Sequence, residues 1–300
     1  MKLMRIALLS LAAMMLVAAC KKDDEDNPTP TPMTKDLNLN FTGLENLGPD
    51  YKYEGWIMVD GSPVTTGTFS IDDNGNLSQS AFAIDEEMLD KATAFILTIE
   101  PYPDNDPAPS AVHVLAGDFS SATADLSVGH PAALGSDFSG AMGYYILATP
   151  TTSTMDDELS GVWFLDLSSG SPMQGLMNLP DLPEGWVYEG WAVTDGMPLT
   201  SGRFTAADMA DMAAPFSGSD ASGPPFPGED YVMNAPGGKS FPTDLSGGLA
   251  VISIEPEPDN SPAPFALKPL VGEIPMNATD HMTYMMDNNA ASFPTGTATR

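Results

Sequence analysis

The chain has 300 residues, a formal net charge of −30 and a pI near 4.1. A polyanion of that strength repels nucleic acid and anionic headgroups, which excludes DNA and RNA as partners. Hydrophobic residues make up 42%, enough for true cores, and the single cysteine excludes an internal disulfide.

Met1 to Cys20 reads as a secretory leader. Lys2 and Arg5 form its basic start, Ile6 to Leu16 an apolar run too short for a permanent span, and Val17-Ala18-Ala19-Cys20 its end. Small residues directly before a cysteine resemble the lipobox of bacterial lipoproteins. That resemblance implies cleavage before Cys20 and its acylation, with several chains giving stable membrane anchoring. Lys21-Lys22 followed by Asp23 to Asp26 is similar to a surface-export signal of Gram-negative lipoproteins. It implies the outer face of the outer membrane, with the periplasmic face as the alternative. Asn27 to Pro32, NPTPTP, is a stiff extended spacer, so residues 21–36 form an acidic and Pro/Thr-rich tether behind the 1–20 leader.

The first module, 37–170, opens with Leu37, Leu39 and Phe41 alternating with polar residues, the pattern of a half-buried strand. Tyr51 to Val59 predicts a second strand, Asp60-Gly61 a tight hairpin turn, and Val64 to Ile71 its partner. Asp72 to Asn76 turns the chain again. Asp85 to Ala92 carries the helical signal. Phe95 to Ile99 is a further strand, stopped by the proline-rich PYPDNDPAP loop. Val112 to Leu115, Gly143 to Ala148 and Val162 to Leu167 complete the set.

The second module, 171–300, repeats the first. YEGWIMVDGSPVTTGTF at Tyr53–Phe69 and YEGWAVTDGMPLTSGRF at Tyr188–Phe204 share ten of seventeen positions at an offset of 135. IEPYPDNDPAP at Ile99–Pro109 and IEPEPDNSPAP at Ile254–Pro264 share nine of eleven at an offset of 155. The second copy has therefore gained twenty residues between its signatures, within a long loop over 205–248. That loop predicts a short helix at Ala206 to Met212. Its Phe216, Phe226, Tyr231 and Phe241 suit either a packed Ω-like lid or a binding loop. Short strands with regular turn punctuation predict an all-β chain of two tandem antiparallel β-sandwich, immunoglobulin-like domains.

The paired signatures resemble the extracytoplasmic C-terminal domain of anti-sigma-K factors. The likeness rests on Tyr53 to Trp56, Asp60 to Pro63, Gly67 to Phe69 and Thr98 to Pro101, and on Tyr188 to Trp191, Asp195 to Pro198, Gly202 to Phe204 and Ser253 to Pro256. Where that family continues Gly-Gly-Ser after Glu-Pro, this chain has Tyr-Pro-Asp-Asn and Glu-Pro-Asp-Asn. The family's cytoplasmic sigma-binding segment and spanning helix have no counterpart here, so direct sigma-factor binding is not expected.

Chemistry is sparse. His113, His130 and His281 lack zinc-ligand spacing, and no nucleophile or phosphate-loop motif is present. Asp72 to Asn76 misses the EF-hand register. The duplicated Glu-Pro corner places Glu100, Asp104 and Asn105, and again Glu255, Asp259 and Asn260, on a stiff loop. Such oxygens either hold calcium or cap backbone N–H groups that the prolines leave without ladder partners. Trp56 and Trp191 suit core anchors better than sugar platforms. The expectation is a non-enzymatic, lipid-anchored envelope protein without a required cofactor. It would act as a binding or sensing module for an unidentified envelope protein or surface ligand. The alternative is a surface-exposed hydrolase or glycan-binding lipoprotein.

Overall fold

The computed structural model describes residues 33–155, 157–259 and 261–300. The expected leader, the Cys20 anchor and the spacer through Pro32 lie outside the described residues. The alternation at Leu37, Leu39 and Phe41 forms β1 (Thr34–Thr42), which starts three residues before the expected module boundary. β2 (Tyr51–Val59) turns at Asp60-Gly61 into β3 (Ser62–Phe69). Both turn residues have positive φ, 51° and 79°, the left-handed pair that a two-residue hairpin of this hand requires. β4 (Ala81–Asp85) leads into α1 (Glu86–Lys91), whose first turn is capped by Asp85 accepting from the Met88 N–H. β5 (Ala94–Pro101), β6 (His113–Ser120) and β7 (Thr123–Leu126) follow.

Next come β8 (Met142–Leu147), β9 (Gly161–Trp163) and three two-residue strands, β10 (Leu165–Asp166), β11 (Met173–Gln174) and β12 (Leu176–Met177). The second signature forms β13 (Trp186–Thr194) and β14 (Met197–Phe204), joined by Asp195-Gly196 in the same left-handed pair. β15 (Gly228–Asp230), β16 (Leu249–Pro256), β17 (Leu270–Glu273), β18 (Tyr284–Asn288) and β19 (Thr295–Thr299) complete the chain. The helix expected at Ala206 to Met212 is not formed. There the Met212 N–H donates to the Arg203 carbonyl and Asp211 accepts from the Gly228 N–H, so tertiary contacts hold the segment in turns.

The fold is all-β, with two large antiparallel sheets. One runs in the order β3-β2-β5-β6-β7-β19-β1-β4, the other β14-β13-β16-β17-β18-β8-β9-β15, with β12 added on β8. Each sheet curls until its edge strands approach, β3 beside β4 and β14 beside β15, giving two barrel-like bodies. Position by position the orders are the same once the chain is divided between β8 and β9, which assigns β9, although it lies before residue 170, to the second copy; one strand of each copy then sits in the other barrel. β19 closes the first barrel between β7 and β1, while β8, from before residue 170, closes the second between β18 and β9. The two copies have exchanged their eighth strands. Sheet membership therefore crosses the expected 170/171 boundary in both directions, and Met33–Arg300 forms one compact unit.

Side-chain size explains which strand fills which slot. In the first barrel the slot takes Gly296 and Ala298, and a Cβ at Gly296 would collide with the Phe41 ring. In the second, the fully buried Tyr145 fills the slot, stacks on Tyr284 at 5.5 Å and donates its hydroxyl to the Glu273 carbonyl. Ala298 is fully buried, and a close-packed interior does not yield the volume that a tyrosine there would need. One continuous hydrophobic cluster runs through both barrels, from Leu37 and Phe95 to Phe164, Ile252 and Ala298.

Candidate functional site

Both Glu-Pro corners are built by one repeated set of hydrogen bonds. In the first copy the Trp56 indole N–H donates to Thr98 Oγ1 at 2.9 Å, and the Thr98 hydroxyl reaches Glu100. The Glu100 carboxylate also accepts the Ser110 N–H at 2.9 Å. In the second copy Trp191 donates to Ser253 Oγ at 2.8 Å, Ser253 to Glu255, and the Phe265 N–H to Glu255 at 2.9 Å. Trp56 and Trp191 are thus buried anchors. Glu100 and Glu255 tie the two ends of the proline loop together and cap its backbone, as the capping alternative in the sequence expects. Burial raises the pKa of both, that of Glu255 to about 7.

Loops from the neighbouring strand brace each corner. Tyr53 and Tyr188 donate to the Glu45 and Pro180 carbonyls, at 3.1 and 2.7 Å. Tyr102 N–H donates to the Asp50 carbonyl, and its counterpart Glu257 N–H to Gly185, at 2.7 and 2.8 Å. The loop carrying Gly185 then packs on the first corner, where a Cβ at 185 would lie 2.8 Å from the Ala111 backbone. Reciprocally, the 45–51 loop of the first module faces the second corner. Between them is a cavity of about 260 Å³.

Leu47, Tyr51 and Ile99 line the cavity from one module, and Pro256, Pro258 and Phe265 from the other. The polar lining includes Glu45 and Asp259. Burial pushes the Glu45 carboxyl up to about 7, partly opposed by the Lys268 ammonium behind it. Lys268 donates to the Phe265 carbonyl at 2.6 Å, and burial lowers its pKa. Asp259 is held by Arg203 at 2.9 Å, and the same guanidinium reaches Glu189 at 3.1 Å. At the matching positions of the first copy stand Thr68 and His113. His113 Nδ1 pairs with the Ala132 carbonyl, so the two corners have diverged and the ion pairs sit at the second.

Of the corner residues considered for calcium, Asp104 accepts the Asp106 N–H and Asp259 the Ser261 N–H, each a local turn bond, at 2.9 and 2.7 Å. Asn105 is exposed, and Asn260 lies outside the described residues. A different group, Glu158, Asp280 and His281, places three candidate ligand atoms within 4.8 Å of one another. Glu158 already accepts the Thr149 N–H at 3.0 Å, and Asp280 and His281 are about half exposed. Spacing in the sequence could not reveal that group, since the fold brings its members together across more than 120 positions.

The long 205–248 loop is pinned to its barrel. Phe216, Tyr231 and Phe241 form a three-ring cluster with centroids 5.4–5.9 Å apart, and Phe226 packs beside Trp163. Two fully buried carboxyls within the loop fasten it. Glu229 accepts the Phe216 N–H and the Ser217 hydroxyl, and Asp230 accepts the Thr151 N–H and the Trp163 indole. Burial raises Glu229, and nearby Asp211, to about 7. No helix among the described residues is long and apolar enough to cross a membrane. No family model, curated protein or solved structure matches the chain.

Proposed function

We propose that this chain is a non-enzymatic binding protein of the bacterial envelope, held to the outer membrane by lipid on Cys20 and displayed on the cell surface. In this reading its modules are of the anti-sigma-K extracytoplasmic type and serve as an interaction platform without gripping a sigma factor. The observation that carries it is the order of features at the start of the sequence: basic residues, an apolar run, Val17-Ala18-Ala19-Cys20, then a charged and proline-rich spacer. A rigid β body follows at Thr34. What supports binding over hydrolysis is the commitment of the buried carboxylates. Glu100, Glu255, Glu229 and Asp230 each accept hydrogen bonds that hold the fold, which removes them from acid–base work on a substrate.

Fractionation of cells expressing the wild type and Cys20→Ser tests the anchor. The wild type is expected in the outer-membrane fraction, labelled by a fatty-acid analogue and cleaved by protease added to whole cells. The variant is expected unlabelled and released from the membrane. Label on the variant, or a wild type that remains soluble, contradicts the proposal.

A further inference from the structure

The seam cavity is a concave feature in which apolar walls and a partly buried carboxyl without an ion pair, Glu45, converge. Its walls come from two modules, so it exists only in the assembled pair. Tyr51 and Phe265 supply aromatic surface from opposite sides, and Leu47, Ile99 and the prolines supply the remaining apolar wall. Glu45 and Asp259 supply the charge facing the space. They are not equivalent. Asp259 is occupied by Arg203, whereas among the described residues no lysine or arginine lies within ion-pairing distance of Glu45, which feels the Lys268 ammonium only at longer range. Lys268 instead gives a hydrogen bond to the Phe265 carbonyl.

The geometry points to the seam cavity as a binding site for a small organic ammonium: an amine on a short apolar or aromatic stem, with its charge at Glu45 and its body between Tyr51 and Phe265. An ammonium there completes a desolvated carboxylate, which makes a charge-assisted hydrogen bond stronger than a neutral one. Tyr51 and Phe265 border the same space, and an aromatic face presented to the cation would attract it through its quadrupole. An anion of the same size meets Glu45 and Asp259 and is rejected. A neutral isostere gains the apolar contact alone. The volume suits one ring and a two-carbon arm and excludes large ligands. This site does not depend on the proposed anchor: a chain released from the membrane by Cys20→Ser retains it.

The test is calorimetric titration of the full chain with phenethylamine in phosphate buffer. 3-Phenylpropionate serves as the opposite-charge arm and 2-phenylethanol as the neutral arm. Phenethylamine is expected to bind with a dissociation constant of about 0.1–1 mM, a reasonable range for so few atoms. It should bind at least about tenfold more tightly than either control, the worth of one hydrogen bond to a charged group. Glu45→Gln is expected to lose that advantage, and Leu47→Trp, which fills the cavity and leaves the charge, to abolish binding. Asp36→Asn, an exposed acid on β1, is expected to bind like the wild type. If Glu45→Gln does not fold, Leu47→Trp against Asp36→Asn still decides. The proposal is overturned if the three ligands bind alike, if none binds at millimolar concentration, or if Asp36→Asn weakens amine binding as much as Glu45→Gln. The last result would mean diffuse attraction to a polyanion.

Discussion

Glu255 shows how much one buried side chain organises here. Its carboxylate holds the Phe265 N–H and the Ser253 hydroxyl, and Ser253 in turn receives Trp191. Glu255→Ala leaves those groups buried without a partner, so a loss of about 2–3 kcal/mol in urea unfolding is expected. Glu255→Gln keeps an acceptor oxygen and should cost under about 1 kcal/mol. Equal effects of the two would contradict a capping role. A second residue-scale constraint sits where β2 and β13 shift register against their hairpin partners, at Gly55 and Gly190. A Cβ there would lie 2.8 Å from the Phe95 ring or 2.6 Å from the Phe164 ring. Gly190→Ala is therefore expected to destabilise by about 1–3 kcal/mol through overpacking, read as a lowered melting temperature. The sequence marked these residues as repeated, and it pointed to the tryptophans as anchors. It could not show that Glu100 and Glu255 face inward, because a carboxylate on a proline loop is ordinarily solvated.

The exchanged eighth strands decide how the elements depend on each other. A fragment of residues 33–170 contains β8 and β9 but lacks β19, and a fragment of 171–300 contains β19 but lacks β8 and β9. Each barrel is then left open along two unpaired edges, which favours association over independent folding. Neither fragment is expected to unfold cooperatively alone, whereas mixing them should restore one complex with a cooperative melt. A sharp, monomeric transition for 33–170 alone would contradict the exchange. The individual strands were legible, since β1, β2, β3, β5 and β16 carry alternation or dense β-formers bounded by glycine and proline turns. The exchange was not, because alternation reports that a residue is buried and not against which copy. The failed helix at Ala206 to Met212 is the same lesson: local propensity yielded to the Asp211–Gly228 contact.

At the scale of the whole molecule, burying acids in a chain of net charge −30 sets its response to pH. Glu45, Asp211, Glu229 and Glu255 are each pushed up to about 7 by burial. Between their unfolded values and pH 7 the native state holds more protons than the unfolded one, so stability falls as pH rises through that window. Self-repulsion of the polyanion acts in the same direction. Asp72, Asp137, Asp166 and Asp220 are held low by local hydrogen bonds and act oppositely, but only below about pH 4. The melting temperature is expected to be several degrees higher at pH 5 than at pH 8, and the reverse order would contradict the buried acids.

The interlocking of the two barrels underlies the seam, the cavity and the shared core, and one crosslink tests it directly. Thr42 on β1 and Thr295 on β19 are a directly opposed pair, with hydroxyl oxygens 3.1 Å apart. With Cys20→Ala removing the native thiol, Thr42→Cys and Thr295→Cys together should form a disulfide within a single chain under mild oxidation, leaving no titratable thiol in the monomer. Thiols that remain free in the folded monomer, or a bond that forms only between chains, would show that β19 does not close the first barrel of its own molecule.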